Sequence, residues 1–331
     1  MTKWLDFDAS LSTKNRNSDF RMGNGKKRDN TTYKERYGSL RLGSALSDRW
    51  RIDVKGDWYA GRDIMCPNAL FYEDKRPSEK DIDCYGGDIS LTGKIGAHEP
   101  HFTLYASHEE SEYTKKYKGQ PHYKSYEGEI EWLGTQIQDR YHFLDHDITA
   151  GVDYQDIDVE SKSWRSDGTR KAPWQPDHER KNVGIFVDTF FRFFQERLII
   201  DAGIRYDWFK LKTKHTPYKT DFHPDSETFS HVSPRVGLKY FLTEDHVFQL
   251  HSTVGTAFVP PQASQMAGYS ERKVGNTTMI TRGNSDLDPE TSLTWDIGFS
   301  IHKIQWGFFA DLTYFYTDVD NKISKVKVSD T

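Results

Sequence analysis

The chain has 331 residues, a formal charge of −5, 35% hydrophobic and 14% aromatic residues, and a mean hydropathy of −0.80. So polar a chain lacks the apolar residues that a soluble domain of this length uses for its core, yet 18 Tyr, 20 Phe and 9 Trp are too many for a disordered one. No run approaches the roughly 20 apolar residues of a membrane helix, and the mixed, mildly acidic charge leaves no nucleic-acid footprint.

The N-terminal MTKWLDFDAS has neither the basic segment nor the apolar core of a signal peptide. It reads as a strand at once, with Leu5, Phe7, Ala9 and Leu11 alternating with Asp6, Asp8 and Ser10. Period-two alternation then dominates, and helical spacing is hardly seen. It predicts about thirteen strands, near 4–12, 37–46, 49–60, 85–96, 101–113, 122–137, 141–158, 182–194, 198–211, 230–242, 247–258, 292–303 and 306–318. In the third, Trp50, Ile52, Val54, Trp58 and Ala60 oppose Arg51, Asp53, Lys55, Asp57 and Tyr59. In the twelfth, Leu293, Trp295, Ile297, Phe299 and Ile301 oppose Thr294, Asp296, Gly298, Ser300 and His302. Most of these runs match or exceed the roughly 9–11 residues of a tilted membrane strand, whereas globular strands average about 5–6.

The connections alternate strictly. Short turns fall at 46–48, 97–100, 138–140, 195–197, 243–246 and around Lys303. Long polar loops fall at 13–36, 61–84, 159–181, 212–229 and 259–291, with a shorter one at 114–121. That rhythm places all tight turns on one edge of an antiparallel meander. The fold class it predicts is all-β, an antiparallel up-and-down transmembrane β-barrel with its apolar face to lipid and its polar face to a wet interior. Trp58, Tyr59, Tyr206, Trp208, Tyr314 and Tyr316 near strand ends fit interfacial girdles, against the plainer reading of ordinary strand aromatics.

Cys66 and Cys84 both lie in the second long connection, 61–84, and bracket a polar stretch. They read as a loop disulfide, against two unrelated thiols, and a disulfide implies an oxidising compartment. His142 and His146 are expected on one strand face as a polar strand end, not a metal pair. Asp153, Asp156, Asp158 and Glu160 lack the loop template of a hard-cation site. No nucleophile elbow, phosphate loop or zinc-protease motif occurs, so neither an enzyme, a resident cofactor nor a metal is expected.

Three motifs in order carry a family resemblance. GTAFVPPQ (255–262) resembles the Gly-x-Ala-Phe-Arg-Ala-Pro box of TonB-dependent outer-membrane receptors. GNSDLDPETS (283–292) resembles their Asn-Pro-Asp-Leu-x-Pro-Glu box, and TYFYTDVDNKI (313–323) the strand that follows. The residues concerned are Phe258, Pro260 and Pro261 in the first box, and Asn284, Asp286, Leu287, Pro289 and Glu290 in the second. They read as loop anchors ahead of ligand contacts, because the prolines cannot donate to a ladder and the Asp-rich turn sets the path back into the sheet. Val259 and Ser285 stand where the family often has Arg and Pro. Residues 259–290 carry no His, where haem receptors of this family carry one.

The resemblance implies uptake of a scarce, bulky nutrient at the bacterial outer membrane, a ferric siderophore first, then cobalamin, then haem. It implies as partners an extracellular small-molecule chelate, outer-membrane lipid, and the TonB complex through an N-terminal region missing from this chain. Family members also carry a plug inside a barrel of about 22 strands. With about 13 strands and no plug, residues 1–331 are expected to be a single barrel segment truncated at both ends, its edge strands unpaired. Two loops offer candidate ligand contacts: Trp164, Arg165, Arg170, Trp174 and His178 in 161–181, and His215, Tyr218, Phe222 and His223 in 212–225. Aromatic and Arg side chains suit a bulky anionic chelate; solvated loops with incidental aromatics are the competing reading. A passive plugless porin and a soluble all-β binding module are the alternative functions.

Overall fold

A single antiparallel meander carries almost the whole chain in the computed structural model, which describes residues 4–67, 77–220, 223–274, 277–303, 305 and 307–327. The strands are β1 (Leu5–Arg16), β2 (Tyr33–Ala45), β3 (Trp50–Cys66), β4 (Ser78–Gly93), β5 (His98–Lys115), β6 (Tyr123–Phe143), β7 (His146–Trp164), the two-residue β8 (Arg170–Lys171), β9 (His178–Phe193), β10 (Leu198–Thr213), β11 (Ser226–Phe241) and β12 (Phe248–Val259). A short helix α1 (Ala263–Ala267) and a hairpin, β13 (Tyr269–Val274) with β14 (Thr277–Arg282), precede β15 (Glu290–Lys303) and β16 (Phe308–Asp320). Thirteen strands pair in sequence order from β1 to β16, with β8 on β7. The thirteen run from 12 to 21 residues, each longer than the roughly 9–11 a tilted membrane strand needs to span.

Register sorts the side chains by face. Leu42, Val54, Ile89 and Leu104 fall in one row across β2 to β5 and are 47%, 42%, 43% and 41% exposed. No second layer covers that row among the described residues; the buried hydrophobic side chains are Ile157, Leu211, Val247 and Ala263. This one uncovered sheet excludes a sandwich. The opposite face carries Arg–Asp networks. Arg41 and Arg51 share Asp6 and Asp53 at 2.5–2.9 Å, and Arg205 joins Asp153 and Asp207 at 2.5 and 2.8 Å. Glycine clears their path: a Cβ on Gly184 would sit 1.8 Å from the Arg205 guanidinium.

The structure corrects four expectations. Cys66 closes β3 opposite Ser78, while Cys84 lies inside β4 opposite Tyr59, so both are free thiols. Six positions of β4 separate them, about 20 Å at ~3.3 Å per residue, far beyond disulfide reach. The tight turn is at Leu144 and Asp145, not 138–140, because Gln138, Asp139 and Arg140 go on pairing with Gly151, Ala150 and Thr149. His142 and His146 therefore sit on different strands: His142 meets Asp147 at 2.6 Å, and His146 accepts the Arg192 amide at 3.1 Å. Tyr59 points to the polar face, its hydroxyl 3.4 Å from Glu35, whereas Trp58, Tyr206, Trp208, Tyr314 and Tyr316 share the apolar face.

Candidate functional site

The two boxes meet in the ladder, where Phe258 pairs with Thr291 and Val259 with Glu290. Pro260 and Pro261 then end β12, and Pro261 is buried just ahead of α1 in the chain. Phe258 stacks on His231 with ring centroids 4.9 Å apart. In the second box, Asn284 accepts the Asp286 amide at 3.1 Å and gives its own amide to the Gln265 carbonyl at 2.8 Å. The Glu290 carboxylate accepts the Ile323 amide at 2.6 Å, tying the entry of β15 to the segment after β16. Leu287 and Pro289 are half-buried along that path. The 259–291 connection expected as plain loop thus contains α1 and the β13–β14 hairpin.

Two further loops fold against each other. Arg170 on β8 lies 4.6 Å from the Trp164 ring and 5.5 Å from that of Tyr218 on the β10–β11 loop. Lys124 adds a second cation 5.0 Å from Trp164. Arg165 serves its own turn, donating to the Arg170 carbonyl at 2.8 Å. The Trp174 carbonyl accepts the Tyr269 amide at 3.1 Å, which brings the inter-box insertion to the same place. His178 is half-buried with Nδ1 3.0 Å from the Pro176 carbonyl, and His215 is exposed. Phe222 lies outside the described residues.

What holds the loops together is polar and buried. The Asp177 carboxylate accepts the Ser161 amide at 2.8 Å; its own amide donates to the Thr216 hydroxyl at 2.7 Å, and its carbonyl accepts the Lys214 amide at 2.6 Å. Thr216 is 1% exposed. Burial pushes the Asp177 carboxyl above the usual carboxylate range. Next to this latch a cavity of about 570 Å³ opens between the β10–β11 loop and the insertion. Its walls include His223, Met266, Tyr269, Arg282, Asn284 and Asp286. Sequence reasoning found His223, Asn284 and Asp286 but missed the latch and the cavity, which depend on contacts between loops far apart in the chain.

Comparison with known proteins gives this wall and rim a family. The family model "TonB dependent receptor-like, beta-barrel" matches residues 3–331. The chain belongs to that family. As a TonB-dependent receptor barrel, its place is the outer membrane. Among curated relatives, the Heme/hemopexin utilization protein C of Haemophilus influenzae (strain 86-028NP) is 24% identical over 191 residues, 54% of this chain and 25% of that protein. Among solved structures, a double mutant of the Serratia marcescens hemophore receptor HasR, in complex with its hemophore HasA and heme, superposes with a TM-score of 0.75 at 17% identity. It covers 97% of this chain and 51% of its own. The copper transporter OprC gives 0.72 at 14% identity, over 95% and 49%. At such identities these structures show the fold alone, and the chain spans about half their length.

Proposed function

We propose that this receptor barrel belongs to an importer that captures a scarce, bulky nutrient at the cell surface, a ferric siderophore before cobalamin. TonB then drives the nutrient inward through the plug that family members carry. The observation that carries the reading is Arg170 within 4.6 Å of the Trp164 ring and 5.5 Å of the Tyr218 ring, with Tyr218 on the same loop as His223, which lines a cavity within the usual size range of ligand sites. Stacking and positive charge together suit a bulky anionic chelate. Binding of a radiolabelled ferric siderophore to cells bearing the full protein tests it. Arg170→Ala and Trp164→Ala should each weaken binding roughly 5- to 30-fold, the equivalent of ~1–2 kcal/mol. Unchanged binding in both, with the barrel folded, would remove this site from ligand capture.

Haem is a second reading. The curated relative named for heme and hemopexin utilization supports it, and so does His223, which puts an imidazole on the cavity wall from outside the inter-box segment. Haem added to the purified full protein should then give a Soret band that His223→Ala shifts; an identical spectrum in the variant counts against haem.

A further inference from the structure

On the lipid-side face, level with Trp58 and Tyr85, the sheet gathers one histidine and three glutamates. His108 on β5 stands opposite Tyr85 of β4 and Glu131 of β6, while Glu110 stands opposite Glu129 in the same two strands. Nδ1 of His108 is 3.7 Å from the Glu131 carboxylate and 3.8 Å from that of Glu129. Nε2 is 3.3 Å from Glu110. One ligand atom from each of His108, Glu129 and Glu131 lies within 4.8 Å of the other two.

The neighbouring carboxylates of this face have their own cations. Arg62 holds Asp83 at 2.7 Å, Lys162 holds Glu127 at 2.7 Å, Lys181 holds Asp156 at 3.3 Å, and Lys214 holds Asp158. Among the described residues, no Lys or Arg forms an ion pair with Glu129 or Glu131; their partner is the imidazole. A neutral His108 with its proton on Nε2 toward Glu110 would turn the Nδ1 lone pair toward two carboxylates. That grouping repels itself until a cation stands in the middle. A carboxylate on the far N–H of a ligating histidine is the usual outer-shell support of a metal site.

We propose that His108, Glu129 and Glu131 form a site for a divalent transition metal of the Zn²⁺ type, with Glu110 as the positioning residue for His108. Zinc takes His nitrogen and carboxylate oxygen ligands at about 2.0–2.2 Å, and three protein ligands leave its fourth position open. The bound ion would clamp β5 to β6 on the outer wall, apart from the nutrient rim.

The test is a Zn²⁺ titration of the full-length protein, extracted from outer membranes in detergent and stripped with a chelator. The expected result is one saturable equivalent that His223→Ala leaves in place. His108→Ala and the near-isosteric Glu131→Gln should each weaken it at least 100-fold. Glu110→Gln should weaken it about 10- to 100-fold with the stoichiometry kept, as outer-shell partners do. Co²⁺ in place of Zn²⁺ should give visible bands that the ligand variants alter. No saturable equivalent in the parent protein, or equal affinity in folded Glu131→Gln, overturns the assignment.

Discussion

The wall and the rim invert each other's burial. On β16, Leu312 is 78% exposed on the face that lipid covers, while at the rim Thr216 is 1% and the Asp177 side of the latch 8% exposed. The wall closes its backbone through the ladder and leaves the covering of its apolar side chains to the membrane. The rim faces water and has no such cover, so it stays folded by giving buried amides and hydroxyls to one another. Two solvents on one chain explain why an aromatic, strand-rich protein has so low a mean hydropathy.

The largest effect that tests this contrast is a charge on the lipid side. Ile297→Lys or Trp58→Lys should cost on the order of 2–4 kcal/mol where the residue sits near mid-membrane. Asp57→Lys should be mild, and Asp296→Lys should lose about 1 kcal/mol for its hydrogen bond from the Thr253 amide. Reversible unfolding in lipid vesicles measures all four; equal costs on the two faces would contradict the assignment of faces. The rim comes next. Thr216→Val keeps the volume but orphans the Asp177 amide, at about 1–3 kcal/mol locally. Hydrogen exchange should speed up at Ser161, Asp177 and Lys214 and stay unchanged in β2–β5. A uniform change across the sheet would mean that the latch is part of the wall.

Acid separates the two edges by sign. Burial raises the Asp177 carboxyl above the 3.8 of an unperturbed Asp, so its contribution is fully present below that value and is lost as pH rises through the folded value. At the tight-turn edge, hydrogen bonds from Lys303 and Thr243 lower Asp245 to about 2, so its contribution is present above 3.8 and is lost as pH falls toward 2. Acidification should therefore protect rim amides while it loosens the Thr243–Val247 turn. Asp177→Asn should abolish the first trend and leave the second. The same trend in that variant would assign the titration to another group.

Much of the wall was legible because period-two alternation is set by the pleat itself. All thirteen strands could be read, yet β4 starts at Ser78 and β6 reaches Phe143 beyond the expected ends. Above and below the apolar band strands go on pairing through polar residues, and alternation loses its contrast there. The cysteines were misplaced for that reason. The rim was legible only in composition. Trp164, Arg170 and Tyr218 were singled out, but a latch between Asp177 and Thr216 depends on how two loops dock. His108 and Glu131 become neighbours only through the register of β5 on β6, which alternation alone does not specify.

The smallest predicted effect lies in the turn between β9 and β10. Phe194, Gln195 and Glu196 follow one another at φ 54°, 57° and 66°. The left-handed region costs an L-residue roughly 1–2 kcal/mol, and no glycine relieves it there, whereas the rim turn at φ 81° places Gly168 where the backbone needs it. Gln195→Gly removes part of that cost but adds freedom to the unfolded chain. The net gain should be about 0.5–1 kcal/mol, read as a higher urea midpoint at unchanged slope, while Gln195→Ala should leave the midpoint where it is. In reverse, Gly168→Ala should destabilise the rim turn without moving the midpoint of the wall. A Gln195→Gly midpoint equal to the parent's would mean that the membrane-anchored strands, not the turn, dictate the hairpin, and the tight-turn edge would then join the wall as a region governed by lipid and ladder alone.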